Sequence, residues 1–249
     1  MRTVSLALAG VLAYAGAALG QPSHCMEAAS LVHADSGLPH SAAAIANRHE
    51  LKVLVAGSAS SILAGPGGTG KAYPASLQSA LSARVPEVAT SVINTAKVRQ
   101  TAADMLAGFH QSLMDRKPDL VIWQTGTIDA MRGVDLEEFR ATLEKGIDRL
   151  HEAGADVILM NMQYSPRTES MIAAPAYADT MRGVALQQEI PLFDRLAVMK
   201  EWNDQGTFDL SVATKNSEMA EQVHECIGRL LADLVVEAVD FAKEAKQGK

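Results

Sequence analysis

The sequence predicts an α/β fold, a three-layer α/β/α sandwich on a five-stranded parallel sheet, and three observations carry that prediction. Short apolar runs alternate with helical patterns from residue 51 onward, as they do in a parallel sheet wrapped by crossover helices. The run 119–124 (DLVIWQ) is apolar on both faces, which suits a strand buried between two helical layers. No linker or internal repeat divides residues 51–249, so one domain holds all five strands.

The first strand covers 51–56 (LKVLVA) and ends at Gly57. A helix over 75–84 and a short strand over 90–94 follow. The next helix spans about 100–115, and Pro118 marks its end, since proline cannot continue the helical ladder. After the central strand comes a helix over 135–153, with Asp135 as its N-cap and Gly154 closing it. The strand 156–161, a helix over 177–188 and a short strand over 190–194 come next, and a long helix over about 217–247 completes the chain. Residues 21–50 are weakly patterned and read as a loosely attached N-terminal segment.

Residues 1–20 read as a signal peptide. Arg2 supplies the positive start, residues 4–19 are apolar or small, and Ala18-Leu19-Gly20 offers small residues for cleavage before Gln21. The stretch is short and small for a span of about 20 residues. No later segment replaces it, so a periplasmic or secreted protein without a stable membrane span is expected. The net charge of −7 argues against nucleic acid, which demands clustered Lys and Arg. Cys25 and Cys226 leave two readings open: a disulfide pinning the N-terminus to the last helix, or two unrelated thiols.

Ligands of such sheets bind outside the carboxyl ends of the strands, here 57–72, 94–101, 125–133, 161–168 and the segment before the last helix. The stretch Gly65–Lys71 (GPGGTGK) satisfies part of a phosphate-loop pattern. Ala72 stands where a Ser or Thr should hold magnesium, and the loop starts eight residues after the strand ends, so it reads as a plain connection. The histidines are scattered without acid or Cys partners at ligand spacing, and no metal or cofactor is expected.

At these strand ends the chain resembles the SGNH (GDSL-type) ester hydrolases, over about residues 51–236. Residues 53–60 (VLVAGSAS) are similar to the first block of that family, a strand followed by Gly-Asp-Ser or Gly-Ser-Ser. Residues 94–106 (NTAKVRQTAADML) resemble the second, Asn-x-Gly-x-x-Gly before a helix. Residues 121–129 (VIWQTGTID) resemble the third, Gly-x-Asn-Asp. The resemblance implies the flavodoxin-like SGNH fold. It also implies a serine nucleophile, a C-terminal histidine base with an aspartate three residues before it, and an oxyanion hole of serine N–H, glycine N–H and an asparagine.

The positions that carry this chemistry are altered. Ala59 occupies the nucleophile position, Arg99 that of the second-block glycine, and Ile128 that of the oxyanion asparagine. One lost oxyanion donor typically costs about 100- to 1000-fold in turnover. The base is ambiguous: Glu221 and His224 keep the acid–base spacing, whereas an alignment through Met219 and Cys226 places Lys215 and Glu218 there. In the second alignment His224 is a half-exposed helical histidine.

The resemblance implies an exported, degenerate esterase that keeps a pocket for a small-molecule, glycan or acyl ligand, or for a partner. The alternative is an active esterase or deacetylase using a displaced serine, Ser58 or Ser60, with Glu221–His224; Ser61 lies four residues before Gly65, as the nucleophile does in some members. Against it, Ser58 and Ser60 are also suited to capping a turn. Around the pocket, Arg99, Arg132 and Arg167 sit at different strand mouths beside Thr127 and Asp129. They form either an anion pocket or separate surface arginines paired with acids such as Asp104 and Asp129. A structural or interaction protein is a third class, with no residue signature.

Overall fold

Each strand alternates its side chains between two apolar layers, and that alternation decides which helices cover which face. In this computed structural model, which describes residues 23–63, 65, 67–211 and 217–247, the sheet comprises β1 (Glu50–Ala56), β2 (Ala89–Asn94), β3 (Leu120–Gln124), β4 (Asp156–Met160) and β5 (Leu192–Phe193). All pairings are parallel, in the order β2-β1-β3-β4-β5. The expected signal peptide and Lys215 lie outside the described residues.

Leu51, Val53, Val55, Leu120, Ile122, Ile158 and Met160 face one layer. It is formed by a 3₁₀ segment Ser23–Leu31 and by α1 (Pro39–Arg48), α3 (Tyr73–Arg84), α9 (Arg195–Asp204) and α10 (Glu218–Gln247). Leu54, Val121, Trp123, Val157 and Leu159 face the other, formed by α4 (Ala102–Arg116), α6 (Leu136–Glu152) and α8 (Ala174–Gln187). The short helices α2 (Gly68–Lys71), α5 (Thr127–Arg132) and α7 (Pro166–Met171) follow β1, β3 and β4. The chain leaves β1 toward β2 on one side while β3 lies on the other, so the carboxyl ends of β1 and β3 form the switch point where such sheets bind ligands.

Local signals set the helix ends. Asp135 caps α6 by accepting from the Glu137 and Glu138 N–H groups, as expected. Thr101 and Asp104 form a reciprocal capping box that starts α4. At the close contact of α3 with α10, a Cβ on Gly228 would lie 2.7 Å from the Tyr73 carbonyl oxygen, so only glycine fits there.

Three expectations give way, and the open choice between paired and unrelated cysteines closes in favour of the pair. Residues from Ser23 onward are not loosely attached: Cys25, Ala28, Leu38 and Ala44 are buried, and Leu38 N–H donates to Ala238 O at 3.0 Å. Cys25 and Cys226 are bonded, with Cα atoms 5.1 Å apart, which ties that segment to α10. Helices α1 and α9 were not foreseen. β5 is two residues long rather than five, because Pro191 has no N–H for the ladder and Asp194 instead caps α9.

Candidate functional site

The chain leaves β1 through Gly57 into a tight turn, Ala59–Ser61, at the switch point. A Cβ on Gly57 would sit 2.3 Å from Ser61 Oγ, so the strand can deliver the turn this close only without a side chain. Ser58 is buried: its N–H donates to Gln124 Oε1 at 3.1 Å, and its hydroxyl lies 3.4 Å from the same oxygen. Ser61 is also buried, its Oγ 3.0 Å from Gln124 Oε1 and 2.9 Å from the Tyr73 hydroxyl. Ser60 accepts at its carbonyl from Arg195 Nη1 at 3.0 Å, while its own hydroxyl is buried without a partner. Ser58, which heads the turn, makes no side-chain capping bond to it. Only Ala59 faces outward, and it presents a methyl group.

Beneath the turn lies a cluster that sequence reasoning missed. Tyr73 is fully buried, and burial pushes its hydroxyl up to about 12, so it stays protonated. Its ring stacks on His224, with centroids 6.0 Å apart, and Arg195 Cζ lies 5.7 Å from the Tyr73 ring centre. His224 is 6% exposed rather than half-exposed. Its Nδ1 accepts from the Tyr73 backbone N–H at 3.0 Å, so the neutral ring carries its proton on Nε2, the nitrogen that would have to take a serine proton. Burial, together with the Arg195 charge, pulls its pKa down to about 3 and keeps the ring neutral.

The acid expected beside that histidine points elsewhere. Glu221 accepts from Lys71 Nζ at 2.8 Å and Ser217 Oγ at 2.9 Å, and the Lys71 bond holds its carboxyl below the usual range. Helical register explains the split: Val223, His224, Cys226 and Ile227 turn inward, and Glu221 lies at the half-exposed margin. Glu218, in the first turn of α10, is exposed. Lys71, the phosphate-loop lysine of the sequence, is the partner of Glu221.

The third block is structural. Asp129 is buried, accepting from Ala102 N–H at 2.9 Å, Gly126 N–H at 3.2 Å and Thr125 Oγ at 3.3 Å. It ties the turn after β3 to the start of α4, and burial pushes its carboxyl up. It is therefore neither a pocket group nor a neutraliser of arginines. Ile128 is half-buried, and the buried Thr127 hydroxyl has no partner.

The three arginines do not form a pocket. Arg99 is exposed at φ 63°, a left-handed conformation that favours the glycine of the resembling family. Its carbonyl accepts from Arg132 Nη2 at 3.0 Å, and Arg132 Nη1 lies 3.6 Å from Asp104. Arg167 is exposed on α7, and its carbonyl accepts from Ser170. The buried cation is Arg195, one residue past Asp194 at the end of β5. It lies in the segment before the last helix, one of the strand-end segments expected to bind ligands, but no local pattern marks it as buried.

Among the described residues, five buried side-chain atoms lack a hydrogen-bond partner. Four of them, Ser60 Oγ, Gln124 Nε2, Thr127 Oγ and Arg195 Nε, lie at the carboxyl ends of β1, β3 and β5. Such atoms are rare in folded proteins and call for an explanation. A groove of about 880 Å³ between α3 and α10 is a poorer candidate. Its charges are already matched as Lys71–Glu221, Arg84–Asp233 and Arg229–Glu225 pairs.

The model of the Non-GDSL lipase-like family matches residues 24–241. The chain belongs to that family. Among curated proteins, this Non-GDSL lipase-like chain is 31% identical over 96 residues to an arylesterase of Vibrio mimicus, covering 39% of the chain and 47% of the arylesterase. The chain thus matches about half the length of that relative. Among solved structures it is similar to TesA, with a TM-score of 0.52, 22% identity, and coverage of 78% of this chain and 98% of that one. It is also similar to a catalytic mutant of Axe2, an acetylxylan esterase from Geobacillus stearothermophilus (TM-score 0.60, 19% identity, 74% and 94% covered). A third is EstA, a psychrotrophic esterase from Pseudoalteromonas sp. (TM-score 0.58, 16% identity, 76% and 98% covered). At these identities the likeness establishes the fold, the five-stranded parallel α/β/α sandwich shared with SGNH esterases.

Proposed function

We propose that this member of the Non-GDSL lipase-like family is an exported, divergent SGNH protein that no longer hydrolyses esters. It retains a binding site at the carboxyl edge of its sheet for a small-molecule, glycan or acyl ligand, or for a partner. The observation that carries the proposal is the turn Ala59–Ser61. The position aimed at solvent is an alanine, and the flanking hydroxyls of Ser58 and Ser61 are turned onto Gln124. Acyl transfer needs a nucleophile within reach of a base and donors aimed at the oxyanion. Here His224 spends Nδ1 on Tyr73, and protonation of the ring is opposed by burial beside Arg195. Ile128 offers no donor. Export rests on the pattern of residues 1–20, and no helix among the described residues is long and apolar enough to cross a membrane.

Acetyl-ester turnover by the purified protein is expected not to exceed the buffer rate. Turnover that disappears in Ser58→Ala or Ser60→Ala would overturn the proposal. That result would favour the second reading, an esterase or deacetylase with a displaced serine. Its support is the likeness to an arylesterase and to solved esterases. The displaced-serine enzyme also requires His224→Ala to abolish activity, and an unchanged rate removes His224 as its base.

A further inference from the structure

Arg195 is 1% exposed, the most deeply buried cation among the described residues. Its guanidinium makes one hydrogen bond, to the Ser60 carbonyl, and lies over the Tyr73 ring, while Nε has no partner. A buried charge normally persists only when it is paired. All aspartates and glutamates of the chain are among the described residues, and none pairs with Arg195. The nearest acid in sequence, Asp194, is taken by Arg182 at 2.6 Å and by Asn161 at 2.7 Å. The groups shown around Arg195 are neutral: the protonated Tyr73 side chain, the His224 ring and the Ser60 carbonyl. A carbonyl and an aromatic face soften the charge without balancing it.

We infer that the protein binds a halide- or carboxylate-sized anion against Arg195 and Ser60, beneath the turn that begins at Ala59. Arg195 Nε supplies the charged donor and Ser60 Oγ, also buried and unpartnered, a neutral one. Tyr73 and Ser61, both fully buried, crowd the same region and favour a small anion over a bulky one. Ala59, the residue before Ser60, is exposed. A water molecule would satisfy Nε but leave the charge uncompensated. The arginines at the strand mouths, Arg99, Arg132 and Arg167, have no part in it. The inference rests on the reading that the carboxyl edge binds rather than reacts. Its test measures binding alone, so ester turnover and anion response can fail independently.

The test is thermal unfolding of the full chain, dialysed into sodium gluconate and titrated at constant ionic strength with sodium chloride, formate or acetate. At least one salt should raise Tm saturably, by roughly 5–10 °C at a hundredfold excess over Kd. Ser60→Ala should weaken the apparent affinity several-fold, and Arg195→Met should abolish the response. A stronger response to chloride indicates an inorganic anion; a stronger one to formate or acetate indicates the carboxylate of an organic ligand. No saturable response to any salt, or an equal one in Arg195→Met, overturns the site. Should Arg195→Met not fold, calorimetric titration of wild type and Ser60→Ala with the same salts decides. Binding heat that weakens in Ser60→Ala supports the site, and absent or identical heat overturns it.

Discussion

The two ends of the sheet treat buried polar groups in opposite ways. At the amino end, Asp156 accepts from the N–H groups of His40 at 3.2 Å and Ser41 at 2.7 Å, stapling α1 to β4. Asp119 accepts from Lys52 N–H at 2.9 Å and pairs with Arg48. At the carboxyl end, Ser60, Gln124, Thr127 and Arg195 each leave a buried polar atom without a partner. One sequence builds both ends, so the difference does not reflect poor packing throughout. The amino end is finished as structure, whereas the carboxyl end keeps polar groups that only something outside the fold would satisfy. On the proposed reading, fold and binding occupy opposite edges of one sheet.

The sharpest way to break this contrast is Asp156→Ala. It orphans two backbone donors and should cost roughly 4 kcal/mol in urea denaturation. A loss below about 1 kcal/mol would make the amino end as slack as the other.

The next effect depends on pH. His224 has a folded pKa of about 3, below the ordinary value of 6.5, so the unfolded chain binds the extra proton between those values. Stability from this group is therefore complete above about pH 6.5 and is lost as pH falls toward 3. Asp129 and Asp156, pushed up by burial, act in the opposite sense, so the comparison must be wild type against His224→Gln. Urea titrations should show wild type losing roughly 3 kcal/mol more than the variant between pH 7 and pH 4. Parallel profiles would mean that the ring is not buried neutral.

The smallest effect carries the opposite sign. In gluconate, Arg195→Met should leave stability unchanged or raise it by about 1 kcal/mol, because it removes a buried charge the chain does not pair. A loss of several kcal/mol would mean that the protein itself satisfies this arginine.

What the sequence made legible follows from the range of the interactions involved. Strand β3 announces itself because five successive residues are buried, and Asp135 because a cap is a local bond. The N-terminal segment was misjudged because long-range contacts hold it: the Cys25–Cys226 bond across 201 residues and the Asp156 staple. The three altered block positions could be read directly from residue types. The fate of Glu221 and His224 could not, since residues three apart on a helix can meet, and the register of α10 against Tyr73 separates them here. Arg195 was invisible for the same reason: no local pattern distinguishes a buried arginine from a solvated one.

The most direct test of a binding edge in place of a catalytic one is labelling of the purified protein with a fluorophosphonate serine-hydrolase probe, read by intact-mass and peptide mass spectrometry. No adduct is expected on Ser58, Ser60 or Ser61, with an active SGNH esterase labelled in parallel. A stoichiometric adduct on any of the three, lost in His224→Ala, would contradict it.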